Sequence, residues 1–225
     1  MSEIIEPKIE EQSGETMSWR KVWMSVLTRP SVATFERILS DPQASARRAY
    51  LWVGLAALIG GIITNAYSRL GLFGSQPEFG PMFLYTCVPA NIVLALLSLA
   101  AVSWVAQRMA GGFFSGGGKY ASMVYASGAF YAPLILISSL ISGIPYVNCL
   151  SIPLLIFALV LGVMAVNAVN QIGWGQAAVS FLIGLVLVTG VVFVFTLCAF
   201  VILGPAASET FQNTLKELES GGATP

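Results

Sequence analysis

The chain has 225 residues, of which 56% are hydrophobic and 10% are charged, and its mean hydropathy is +0.78. A water-soluble domain carries about 25% charged residues, so this composition excludes a soluble globule and indicates an integral membrane protein. The sequence has no histidine, which excludes Ser-His-Asp and Cys-His nucleophile systems, histidine-ligated zinc or haem, and histidine proton relays. The three cysteines lie far apart in apolar runs without CxxC spacing, which is typical of membrane-embedded packing residues.

The first 48 residues precede the long apolar runs and divide into two parts of opposite charge. Residues 1–18 carry five glutamates against one lysine, and their polar, unpatterned sequence predicts a disordered acidic N-terminus. Residues 19–48 are basic and amphipathic, which predicts cytoplasmic helices at the membrane interface. Within them, we expect Pro30 in the first turn of a helix and Asp41-Pro42 as the N-cap and first residue of the next.

The basic segment also holds the candidate residues for docking to a membrane or to a partner. They are Trp19, Trp23, Phe35 and Arg37. Two interpretations stay open: these residues anchor the first span in the interface, or they form a surface that binds another protein.

Uncharged stretches predict five membrane spans. They contain 20, 29 and 89 residues and end just before Arg69, Arg108 and Glu209. Since about 20 apolar residues cross the ~30 Å hydrocarbon layer, they accommodate one, one and three spans. Spans are expected near 49–67, 82–106, 122–142, 150–169 and 177–203, within a membrane domain over 49–207 and before a short tail over 208–225. The predicted fold class is an all-α integral membrane protein, a five-helix transmembrane bundle with an amphipathic N-terminal interfacial segment.

The distribution of basic residues predicts the orientation of the bundle. With five spans, six lysines or arginines near the spans lie on the side of the N-terminus and two on the other side. Cytoplasmic loops carry the excess of basic residues, so we expect a cytoplasmic N-terminus and a C-terminus on the opposite side.

Two stripes of small residues at helical spacing predict either close packing within the bundle or self-association. The stripe in the fourth span is Ala158, Gly162 and Ala165, and the stripe in the fifth is Ala177, Ser180 and Gly184. The glycine-rich segment 111–118 lacks the spacing of a phosphate-binding loop, and we expect a flexible cytoplasmic loop or a re-entrant turn there.

Three local features complete the pattern: Tyr131-Ala132-Pro133 in the third span, the Ile144-Pro145 turn, and Gly-Trp-Gly-Gln-Ala at 173–177. With these features in this order along the chain, five spans and a short N-terminal segment that contains Trp and Phe, the chain resembles the Yip domain family. These are the Ypt/Rab-interacting multi-pass proteins of eukaryotic secretory membranes, which have many prokaryotic relatives. The candidate family-motif residues are Tyr131, Pro133 and Pro145.

The resemblance implies a cytoplasmic N-terminus, five helices and a role in membrane organisation or trafficking without catalysis. Family members are described as contacting prenylated Rab-type GTPases and each other. The segment of about 48 residues before the first span offers little soluble surface. A small GTPase is therefore a doubtful partner, and a prokaryotic relative in a plasma membrane is favoured.

Two classes of function stay open. The first is a non-enzymatic membrane scaffold or adaptor whose partners are the lipid bilayer and either a second copy or another membrane protein. The alternative is a small transporter or channel for a neutral or lipid-like substrate, with proline-kinked spans and intramembrane amides lining its path. A membrane enzyme is disfavoured because the spans lack the acids and bases that such enzymes use, so we expect no catalytic residue, cofactor, metal or nucleic-acid partner.

Overall fold

A computed structural model describes residues 16–69, 81–142, 144, 147–194 and 197–198, and these residues form helices and no strand. The helices are α1 (Trp19–Thr28), α2 (Val32–Leu39), α3 (Ala46–Arg69), α4 (Pro81–Phe114), α5 (Tyr120–Ser142), α6 (Ser151–Asn170) and α7 (Trp174–Val194), with a 3₁₀ turn at Val147–Leu150 before α6.

Helices α3 to α7 are each long and apolar enough to cross a bilayer. Their candidate spans have 20 to 27 residues and mean hydropathies between 1.6 and 2.7. A helix satisfies its own backbone hydrogen bonds, which is what hydrocarbon requires of a spanning segment. The chain is therefore a multi-pass membrane protein, and the predicted all-α class with five spanning helices is confirmed.

Two helix ends differ from those expected from the sequence. Helix α4 runs through Gly111 and Gly112 to Phe114, because a glycine inside a helix costs only about 1 kcal/mol relative to alanine and need not end it. Helix α7 begins at Trp174, because Gln176 at its third position accepts a hydrogen bond from the Gly173 backbone N–H over 3.1 Å. The part of the expected fifth span beyond residue 198 lies outside the described residues.

The two short N-terminal helices, α1 and α2, form what we call the head. Serines cap both: Ser18 Oγ accepts from the backbone N–H of Lys21, and Ser31 Oγ accepts from that of Thr34. Pro30 therefore precedes the cap of α2 and does not lie in its first turn, where the sequence placed it. A hydroxyl that satisfies an orphan backbone donor determines the start of the helix here.

The apolar side of the head packs on the membrane helices. Helices α1 and α2 contact α5, and α2 also contacts α6. Val22 and Val26 of α1 and Phe35 and Ile38 of α2 are fully buried. Both helices are amphipathic as predicted, and their apolar faces are covered by this chain's own spans.

Asp41-Pro42 does not start the third helix, as the sequence suggested. Asp41 lies in the turn after α2, where its Oδ1 accepts from the backbone N–H of Gln43 over 2.9 Å. Helix α3 begins at Ala46, and Ser45 Oγ accepts from Arg48 N at 3.4 Å. Aspartate favours turns as well as caps, because its side chain can bond its own backbone two residues on.

Helices α3 and α5 approach each other closely at Gly128. A Cβ atom added at Gly128 would lie 2.6 Å from Ala49 Cβ and 3.1 Å from Ala49 Cα. Only small residues allow backbones in a membrane to come this near. Tyr125 of α5 and Val53 of α3 are fully buried as well, so the interface between these helices is part of the core of the bundle.

The chain divides into two compact units at the middle of α7, Met1–Gly184 and Leu185–Pro225. The first contains the head and most of the bundle. In the second, Val186, Val191 and Cys198 help line an open apolar groove of about 500 Å³.

Candidate functional site

Four aromatic rings form a continuous row from the head into the bundle. The ring centroids of Trp19 and Trp23 lie 4.9 Å apart, and those of Trp23 and Trp52 lie 6.1 Å apart. Both pairs meet edge to face, an arrangement in which aromatic rings attract each other. Trp52 continues the row to the fully buried Tyr125, at 5.5 Å. The row therefore connects α1 to α3 and α5.

A buried carboxylate joins three segments at the same end of the bundle. Asp41 Oδ2 accepts from Arg48 Nη1 over 3.3 Å and from the Met17 backbone N–H over 3.2 Å. Arg48 Nη2 also donates to the Met17 carbonyl at 2.6 Å, and the guanidinium carbon lies 5.0 Å from the Trp52 ring centroid. The Asp41 side chain is fully buried and that of Arg48 is 19% exposed, so each charge depends on the other. This network fixes the chain before α1 and the turn after α2 to the start of α3.

The predicted docking residues lie on different sides of the head. Trp19 is 44% exposed, Arg37 is exposed, and Trp23 is half-buried in the aromatic row. Phe35 is fully buried, with its ring centroid 6.4 Å from that of Phe130 in α5. Phe35 therefore packs within this chain, and of the predicted docking residues Trp19 and Arg37 are the exposed ones.

The exposed side of the head is basic and carries two large apolar side chains. We call the exposed residues of the head its outer face, and they include Trp19, Arg20, Met24, Arg29 and Arg37. Met24 is 59% exposed, and the Arg20 guanidinium lies 5.1 Å from the Trp19 ring centroid. The one acidic residue in α1 and α2 is Glu36. Such a surface can bind acidic and apolar groups together.

The small residues of α6 are used inside the chain. Gly162 and Ala165 are buried, and Ala158 packs against the core. A Cβ atom at Gly162 would overlap the ring of Phe181 in α7. Gly162 thus makes room for an aromatic ring of the neighbouring span, which supports the packing interpretation of this stripe.

The stripe in α7 packs in the same way. Ala177 and Ser180 are fully buried, and a Cβ at Gly184 would lie 3.3 Å from Ala106 N and from the Val102 carbonyl oxygen in α4. Both stripes therefore contact neighbouring spans of the same chain. Self-association through them stays a prediction.

Two of the candidate family-motif residues lie in α5. Tyr131 is partly buried against the core, and Pro133 is buried inside the helix. Pro145 lies outside the described residues. The packing of Tyr131 and Pro133 gives both a place in the bundle core.

The glycine-rich segment is held against the end of α6. Gln107 Nε2 donates to the Gly118 carbonyl at 2.6 Å and to Asn170 Oδ1 at 2.8 Å. A Cβ at Gly116 would lie 2.8 Å from Asn170 Cβ, and one at Gly118 would lie 2.6 Å from Val169 Cγ1. The loop after α4 is thus a close-packed connection in which two glycines allow the backbone to approach α6.

Several buried polar atoms have no hydrogen-bond partner among the described residues. Ser103 Oγ and Gln107 Oε1 lie one turn apart on α4, and Ser180 Oγ lies on α7. Trp23 Nε1 and the Tyr125 hydroxyl belong to the aromatic row. Across the described ranges, His, Cys, Asp and Glu form no group of three that could hold a metal ion.

The sequence did not reveal the two polar contacts that join distant segments. Asp41 and Arg48 are seven residues apart in sequence, and an acidic residue in a mostly basic stretch is a signal for such a pair. Gln107 and Asn170 are 63 residues apart, and only the fold brings their amides together.

No protein-family model, no curated protein and no solved structure matches this chain.

Proposed function

We propose that this multi-pass membrane protein is a non-enzymatic scaffold or adaptor of the Yip-like type, acting in membrane organisation or trafficking. In this proposal the outer face of the head binds another membrane protein on its cytoplasmic side. The N-terminus is cytoplasmic, the C-terminus lies on the opposite side, and the membrane is a prokaryotic plasma membrane.

The observation that carries the proposal is the division of the head into a buried and an exposed side. Phe35 and Val26 are fully buried, whereas Trp19 and Met24 are 44% and 59% exposed. A surface with arginines around exposed tryptophan and methionine has the composition of protein contact surfaces, which are enriched in aromatic residues, Met and Arg. Because the buried side holds the head, such a surface loses little conformational entropy on binding.

Site-specific photocrosslinking in native membranes tests the proposal. A photoreactive residue is placed at Met24 or at the exposed Ala33, with the fully buried Phe35 and the exposed Val93 of the spanning helix α4 as controls. Adducts are identified by mass spectrometry. We expect Met24 and Ala33 to capture the same protein, Phe35 to capture peptides of this chain, and Val93 to capture lipid.

Lipid adducts alone from Met24 and Ala33 would contradict the adaptor function and leave the head as a membrane anchor. Cysteine labelling with a membrane-impermeant maleimide tests the orientation. We expect the exposed Cys149, between α5 and α6, to react from outside intact cells, and a cysteine at Ser40 to react only after lysis.

A small transporter or channel for a neutral or lipid-like substrate is the second candidate function. It is favoured by the unpartnered buried oxygens of Ser103, Gln107 and Ser180 on α4 and α7. Intramembrane polar groups often mark a substrate path. Solute flux into proteoliposomes above that of empty vesicles, reduced by Ser103→Ala, would support it, and no flux across several substrate classes would oppose it.

A further inference from the structure

An open groove runs between α3 and α4 on the outside of the bundle. Its volume is about 620 Å³. Leu51 and Leu55 line it from α3, and Ile92 and Leu96 line it from α4. A Cβ atom added at Gly54 would lie 3.9 Å from Leu96 Cδ2. The absence of a side chain at Gly54 therefore leaves space in the groove.

One end of this groove is polar. Arg47 and Tyr50 line it at the start of α3, three residues apart and so on the same helix face. The Tyr50 hydroxyl lies 3.0 Å from that of Tyr120, which also donates to the Ala100 carbonyl at 3.4 Å. Tyr50 thus adds a polar group to the end of the groove that Arg47 lines, whereas the rest of the groove is lined by apolar side chains.

Arg47 has an uncompensated charge. Its neighbour Arg48 is bound to Asp41 and Met17, but Arg47 is exposed and makes no ion pair or hydrogen bond within the described part of the chain. An arginine at the end of a spanning helix, beside an open apolar groove, is complementary to an anionic headgroup with a hydrocarbon chain.

The length of the groove agrees with such a ligand. Its α3 wall extends from Ala46 to Leu58, which is about 18 Å of helix at a rise of 1.5 Å per residue. One leaflet of a bilayer contributes about half of the ~30 Å hydrocarbon layer. The groove therefore reaches from the polar boundary through the depth of one leaflet.

We propose that this groove is a binding site for an anionic phospholipid. One acyl chain lies between α3 and α4 along Leu51, Leu55 and Leu96, and Arg47 binds the headgroup phosphate. The site is separate from the outer face of the head, so the proposal does not depend on the adaptor function.

A photoactivatable phosphatidylglycerol with a diazirine in its acyl chain tests this site in proteoliposomes. We expect labelling to concentrate on residues 50–58 and 92–96, and to exceed labelling by the matched phosphatidylcholine probe. Arg47→Gln is expected to lower the labelling of these residues about fivefold, the effect of one basic residue near an anionic lipid surface.

Arg108→Gln is the matched control. Arg108 has the same charge and is exposed, but its guanidinium lies 5.5 Å from the Trp104 ring centroid and it does not line the groove. We expect this variant to keep the wild-type labelling. Gly54→Phe, which fills the groove and keeps Arg47, is expected to lose it.

Three results would overturn the proposal. One is equal labelling by the two lipid probes, and another is unchanged labelling in Arg47→Gln. The third is labelling spread evenly over other exposed apolar residues, such as Ile152 and Leu155 of α6. Retention of the wild-type melting temperature by each variant shows that lost labelling reports the site and not unfolding.

Discussion

The two sides of α3 differ in what they contact, although both are largely apolar. The inner side, with Ala49, Trp52 and Val53, is buried against α5 and the head. The outer side, with Leu51 and Leu55, is 57% exposed at each of these leucines and forms one wall of the groove. Small and aromatic residues thus lie where protein packs on protein, and leucines lie where the helix is exposed.

The neighbouring arginines at the start of α3 show the same contrast. Arg48 points to the inner side, where it pairs with the buried Asp41, and Arg47 lies at the mouth of the groove. Successive residues on a helix are separated by about 100°, so adjacent identical residues have different environments. A count of positive charges treats the two arginines as equal, whereas the structure pairs Arg48 with Asp41 and leaves Arg47 exposed.

Trp52→Ala is expected to cause the largest loss of stability. Trp52 is 8% exposed and contacts both Trp23 and Tyr125, so its removal leaves a cavity between the head and two spans. The free energy of unfolding, measured by titration with sodium dodecyl sulfate in mixed micelles, should fall by about 4 kcal/mol. Leu55→Ala on the outer side should change it by no more than about 0.5 kcal/mol. If Trp52→Ala and Leu55→Ala lowered the free energy of unfolding equally, the inner and outer sides of α3 would not differ in their contribution to stability.

Arg48→Gln is expected to lower the free energy of unfolding by about 3 kcal/mol, because it leaves the buried Asp41 carboxylate without its cation. Adding Asp41→Asn should restore part of this loss, since the unpaired charge is then removed as well. The same titration measures Arg48→Gln, Asp41→Asn and the double variant. A double variant as unstable as the sum of the two single variants would show that the pair is not coupled.

Gly128→Ala is expected to lower the free energy of unfolding by about 2 kcal/mol, because the added methyl group would overlap Ala49 and separate α3 from α5. Gly112→Ala is the matched control, since an added Cβ there meets nothing within 4 Å. Replacing this helical glycine should raise stability by up to about 1 kcal/mol. Effects of the same sign would contradict the close approach of α3 and α5.

Arg47→Gln should have the smallest effect on the protein alone. Because the side chain is exposed and unpaired within the described residues, the melting temperature in neutral detergent should stay that of the wild type. Phosphatidylglycerol should raise the melting temperature of the wild type, as a ligand of the folded state does, and should raise that of Arg47→Gln less. The same rise in melting temperature in both proteins would show that Arg47 takes no part in lipid binding.

The sequence predicted the features that depend on hydrocarbon thickness and helical period. Uncharged stretches predicted five spans, and the small-residue spacing of Gly162 and Gly184 marked faces that do pack closely. What covers each face depends on the tertiary fold. The pattern around Phe35 predicted an amphipathic helix, but Phe130, which its ring contacts, is 95 residues away in sequence. Because this contact depends on the tertiary fold, the sequence could not predict that Phe35 is buried against α5.

Polar contacts between distant segments also depend on the tertiary fold, so the sequence alone does not predict them. Aspartate is a residue type typical of helix caps, which is why the sequence suggests a cap at Asp41. Its role in a buried ion pair follows from the way the chain before α1 and the turn after α2 meet the start of α3. The glycines at 111 and 112 indicate a loop from the sequence alone, whereas α4 continues through them to Phe114.

The head is held on the bundle through its buried side and so presents a fixed outer face. Hydrogen exchange of the protein in lipid nanodiscs, read by mass spectrometry, tests this arrangement. We expect the backbone amides of residues 22–39 to exchange at least about 100-fold more slowly than those of an unstructured chain. We also expect Phe35→Ala to remove this protection while α5 and α6 keep theirs. Exchange of the wild-type head at the unstructured rate, or protection that persists in Phe35→Ala, would show that the head is not held in this way.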